Sequence, residues 1–159
     1  MSTSDTIFIH SRLALDEVVD RIETRLGLLK VVDGEGNIFL GRRFGAEGTQ
    51  ELGGQISANP HRPAADPAPN ELSVLDGYEI AWDLRNVPRN EAILHAGART
   101  LFSEVLTGFP DWPTLLVRNL GLLVAAYQPD SGLVEFPEGI SPDDDDRELW
   151  RPFDVLKRP

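Results

Sequence analysis

The stretch that decides the fold is NEAILHAGARTLFSEVLTGF-PDWP-TLLVRNLGLLVAAYQ-PDSG-LVEF, Asn90 to Phe136. Asn90 is a good helix cap, because its side-chain oxygen can accept from the free N–H groups of the first turn, and Glu91 follows where the helix dipole favours an acid. Leu94, Ala98, Leu101, Phe102, Val105, Leu106 and Phe109 recur three and four apart and so share one helical face. Gly108 is placed to end that helix, and Pro110 and Pro113 prevent its resumption. Thr114–Arg118 and Leu122–Gln128 then read as strands joined by a turn or bulge at Asn119-Leu-Gly121. Pro129-Asp-Ser-Gly132 is a tight turn, and Leu133–Phe136 the returning strand. The run 122–128 does not alternate cleanly, which predicts burial on both faces.

Working back toward the N-terminus, Thr6–His10 predicts a first strand. Leu15, Val18, Val19, Ile22 and Leu26 make an amphipathic helix with Asp16 and Glu17 in its first turn and Gly27 as its stop. Leu28–Val32, the turn Asp33-Gly-Glu-Gly36 and Asn37–Phe44 form a hairpin. Residues 45–70 carry four glycines and four prolines among few large apolar residues, and read as one long mobile loop. Ser73–Asp76 and Tyr78–Arg85 have strand character, with Tyr78, Ile80 and Trp82 on one face. Beyond Phe136 lies an acidic segment, about 138–159, whose Leu149, Trp150 and Phe153 need burial and so predict a tail docked on the body. Short turns between strands imply mostly antiparallel pairing. The expectation is a single α+β domain: a mixed, mostly antiparallel sheet with two main helices on one face.

The 159 residues can bury a real core. No cysteine is present, which removes disulfides and thiolate metal sites and suits a reducing, cytoplasmic setting. The opening Met-Ser-Thr-Ser-Asp has no signal-peptide pattern, and no apolar run approaches the roughly 20 residues that cross a bilayer. A net charge of −11 repels nucleic acid and anionic membranes and attracts a basic protein, besides keeping a chain soluble.

Motifs for chemistry are sparse. Asp33-Gly-Glu-Gly-Asn37 opens like a calcium loop, but Ile38 and Phe44 stand where that loop needs glycine and glutamate, so a hairpin turn is the better reading. Asp143–Asp146 has the hard oxygens of a cation site without a rigid frame; a solvated acidic loop or a contact for a basic partner fits better. His10, His61 and His95 lack ligand spacing. No G-x-S-x-G elbow and no lysine-bearing phosphate loop occurs, and Arg42-Arg43 reads as an internal salt bridge or edge solvation. Trp82 belongs in the core; Trp112 and Trp150 stay open between core and interface.

The strand and helix at Ile7–Gly27, the following hairpin, and the late segments Pro137-Glu-Gly-Ile-Ser-Pro142 and Leu149-Trp-Arg-Pro-Phe153 resemble the small immunity proteins of bacterial polymorphic toxin systems. The resemblance lies in architecture and composition, and assigns no family site residue to a position here. It implies an acidic, cytoplasmic α+β protein without a cofactor or catalytic motif, whose partner is a secreted toxin: often a nuclease, an NAD-consuming enzyme or an ADP-ribosyltransferase. On that reading the contact elements are the loop around Glu47 and Glu51 and the tail residues Asp143, Asp144, Asp145, Asp146, Glu148 and Trp150. Two alternatives are an adaptor for another protein and a small enzyme or ligand-binding domain, the latter with His95, Tyr78 and Asp83 lining a pocket between sheet and helices.

Overall fold

The computed structural model describes residues 3–44, 48–61, 68 and 71–156. In chain order its elements are β1 (Asp5–Ile9), α1 (Leu15–Leu26), β2 (Leu29–Val32), β3 (Ile38–Phe44), β4 (Gln50–Ala58), β5 (Ile80–Val87), α2 (Glu91–Gly108), β6 (Thr114–Arg118), β7 (Leu122–Gln128), β8 (Gly132–Glu135) and α3 (Arg147–Trp150). The eight strands form one sheet in the order β2-β3-β4-β5-β1-β6-β7-β8, and every neighbouring pair is antiparallel. The fold is α+β, as the pattern of hairpins and two stripes implied.

Both long helices lie on one face. Val18, Val19 and Ile22 of α1 and Leu94, Ala98, Leu101, Phe102 and Val105 of α2 pack against Ile7, Ile9, Leu40, Leu52, Ile56, Trp82, Leu84 and Leu116. Local chemistry sets their ends. The Asn90 side chain accepts from the Ile93 N–H at 3.0 Å. Gly27, at φ 65°, adopts the left-handed conformation and donates to the Glu23 carbonyl, a stop that a side chain would strain. Strand alternation sends Phe8, Leu115, Val117, Leu123 and Ala126 to the opposite face, where Trp150, Phe153, Val74, Leu75 and Tyr78 cover them. The absent alternation in β7 has a local cause. The register shifts opposite Leu116 and Val117, so Val124 and Ala125 both turn to the helix side.

Two segments differ from expectation. The glycine-rich part of 45–70 is not wholly loop: β4 runs through Gln50–Ala58, between β3 and β5. Its glycines mark close backbone approach. A Cβ on Gly54 would lie 1.8 Å from the Asp83 carbonyl oxygen, and one on Gly53 would lie 2.5 Å from the Gly41 Cα. Residues 45–47, 62–67 and 69–70 of that expected loop lie outside the described residues. The second difference is at Ser73–Asp76, which precedes and enters a 3₁₀ turn, Val74–Gly77, instead of a strand. Ser73 and Asp76 close a reciprocal capping box there. The turn carries Tyr78 to the tail side, away from Ile80 and Trp82.

Candidate protein-binding surface

Hydrogen bonds fix the start of the acidic segment to the body. The Ile140 carbonyl accepts from the Leu123 N–H at 2.7 Å, and the Pro142 carbonyl from the Val74 N–H at 2.9 Å. Ser73 and Asp143 form an antiparallel bridge beyond the main sheet. Asp144–Asp146 form one 3₁₀ turn leading into α3. Asp146 turns back, its carboxylate accepting from the Ser141 N–H at 2.6 Å. Asp143 and Asp145 are exposed and Asp144 half-buried. Glu148 is exposed by 85% and makes a loose ion pair with Arg151 at 3.5 Å. Four carboxylates therefore stand on a short framed element. Trp150 corrects its expected role: it is 0% exposed, and its Nε1–H donates to the Asp143 carbonyl at 2.8 Å. An indole so enclosed is no anchor for a partner. It is the bolt that holds the acidic turn to the sheet.

Glu51 also sits differently from its reading as part of a protruding loop. It is the second residue of β4, opposite Arg43, whose Nε–H donates to its carboxylate at 2.9 Å. Glu47 lies outside the described residues. Arg42 points the other way, to the helices. It binds Glu104 through two nitrogens at 2.7 and 3.1 Å and donates to the Leu26 carbonyl at 2.7 Å, tying β3 to both helices. The basic pair thus resolves into one internal clamp and one cross-strand ion pair.

Glu51 belongs to a surface that sequence reasoning missed. The tail covers only the half of its sheet face above β5, β1, β6 and β7. Over β2, β3 and β4 no described element covers that face, which has a shallow depression of about 250 Å³ lined by Leu29, Val31, Phe39, Gly41, Gly53 and Val87. Leu29, Val31 and Val87 are exposed by 59%, 61% and 57%. The legible signal was Leu29 and Val31 two apart in a strand; what hid it was the unrecognised strand β4, without which no second wall exists.

His95, Tyr78 and Asp83 do not meet. His95 shares Nδ1 with the buried Asp5 carboxylate at 2.8 Å, on the helix side, and Arg118 Nε lies 3.6 Å from the other oxygen of Asp5. Tyr78, on the tail side, donates its phenol to the Phe153 carbonyl at 2.8 Å. Burial pushes that phenol far above its ordinary pKa, helped by the Asp154 and Glu79 carboxylates. Asp83 pairs with Arg85 at 3.2 Å on the surface. His10 is bound by Glu79 at 2.8 and 2.9 Å beside a crevice of about 510 Å³, where the adjacent Ser11 hydroxyl accepts from the Leu13 N–H. Among the described residues no group of three or more His, Asp or Glu side chains is arranged to hold a metal ion. No described helix is long and apolar enough to cross a membrane. Trp112 is 9% exposed and stacks on Phe109 at 4.1 Å between ring centroids.

No family model matches the chain, and neither curated proteins nor solved structures show significant similarity to it.

Proposed function

We propose that this protein is a stoichiometric inhibitor, an immunity protein that occludes a basic toxin and performs no reaction itself. One observation carries the reading: exposed Asp143, Asp145 and Glu148, with half-buried Asp144 between them, sit on a segment bolted to the core by Trp150 and by the Asp146–Ser141 bond. A framed acidic element on a chain of net charge −11 steers a cationic partner during approach and sets its orientation. Because the element is already ordered, docking loses little conformational entropy at the contact. The resemblance to immunity proteins supports the same reading and supplies the partner class, a secreted toxin met in the cytoplasm.

The test is capture of the toxin from the source organism, followed by kinetics with the purified pair. Asp144→Asn/Asp145→Asn/Glu148→Gln is expected to lower the association rate at low salt by about tenfold or more, with the difference shrinking as salt screens the charges. A partner whose association rate ignores both salt and these three charges would sink the proposal, as would a product formed by the chain alone.

A further inference from the structure

We infer that the bare half of the sheet face is a self-association surface, occupied by a second copy of this chain about a two-fold axis. The chain as a whole carries −11, so two copies repel over most of their surfaces. Among the described side chains of the bare half the two signs are matched: Arg43 faces Glu51, and Arg85 contacts Asp83. A face with matched signs at its rim suits an isologous contact, where each patch must match itself. It suits a strongly cationic partner poorly.

Shape agrees. Gly41 and Gly53 sit opposite each other and leave the floor without side chains, while Leu29 and Val87 stand up on either side. Stacked sheets pack about 10 Å apart through interdigitating side chains. The raised residues of one copy fill the glycine floor of the other. The docked tail covers the face above β5, β1, β6 and β7, which leaves β2, β3, β4 and the adjoining end of β5 for the contact.

Sedimentation equilibrium of the full chain between about 1 and 100 μM tests this. The expected result is a concentration-dependent mass rising toward twice 17.6 kDa. Val31→Asp and, separately, Val87→Asp should each weaken dimerisation at least tenfold, with circular dichroism showing the fold intact. Leu133→Asp, on the far edge strand β8, should leave it unchanged. A wild-type chain that stays monomeric throughout overturns the inference. So does a dimer that survives both β2 and β5 substitutions, or one that Leu133→Asp breaks.

Discussion

One face of the sheet is built in two ways. Above β1, β6 and β7 it carries Phe8, Leu115, Val117 and Leu123, and the tail closes over them with Trp150 and Phe153. Above β2, β3 and β4 the same face carries Gly41 and Gly53, isolated aliphatic residues and ion pairs, and nothing in the described chain covers it. The covered half is stabilised by apolar area removed from water, the bare half by ladder hydrogen bonds and by backbones that approach unusually closely. The two halves should therefore answer mutation differently: one to lost volume, the other to added volume.

The largest effect is expected where volume is lost under the tail. Trp150→Ala empties the centre of the covered half and leaves the Asp143 carbonyl without its indole donor. The expected destabilisation is about 3–5 kcal/mol, read from urea unfolding, with a rise in hydrophobic-dye binding as the tail loosens. A loss near zero would mean that the tail is not the cover that its burial implies, and the contrast would collapse.

Gly53→Ala is the counterpart for added volume. The new methyl would sit 2.5 Å from the Leu40 carbonyl oxygen and from the Gly41 Cα, both backbone, so β3 and β4 must part. The expected cost is about 1–3 kcal/mol, measured by thermal melting, with faster hydrogen exchange confined to β2–β4. Uniform acceleration across the sheet would show that the bare half is not a separate mechanical unit.

The same contrast explains what the sequence revealed. Elements held by side-chain burial announce themselves. The stripe Leu94–Val105, the run Leu122–Gln128 and the α1 stripe were all legible, since burial demands apolar residues at a fixed period. β4 is held by backbone approach, and its glycines carry the composition of a loop. Its period-two trace, Leu52-Gly53-Gly54-Gln55-Ile56, is interrupted at the very position where the Asp83 carbonyl comes closest. The Ser73-Val-Leu-Asp76 capping box was legible as a pattern, but its apolar centre imitated a strand. The acidic turn was visible as charge; its rigidity was not, because it depends on Trp150 and Ser73, far apart in sequence, meeting over the sheet. Of the bare face only Leu29 and Val31, two apart in a strand, were legible, because its outline required β4.

The smallest effect is the sharpest discriminator. Val31 lies in edge strand β2 on the bare half and is 61% exposed. Val31→Thr keeps the branched Cβ that a strand favours and exchanges one methyl for a hydroxyl that water can reach. In dilute solution, with the chain monomeric, the stability change should stay within about 0.5 kcal/mol, as for surface positions away from special features. The comparable change at a covered position, Val117→Thr, puts a hydroxyl among Phe8, Leu123 and Trp150 and should cost more than 1 kcal/mol. Repeating both at high concentration adds the decisive arm. If a second copy closes the bare half, the cost at Val31 grows with protein concentration while that at Val117 stays constant, because only the former position gains its cover from association.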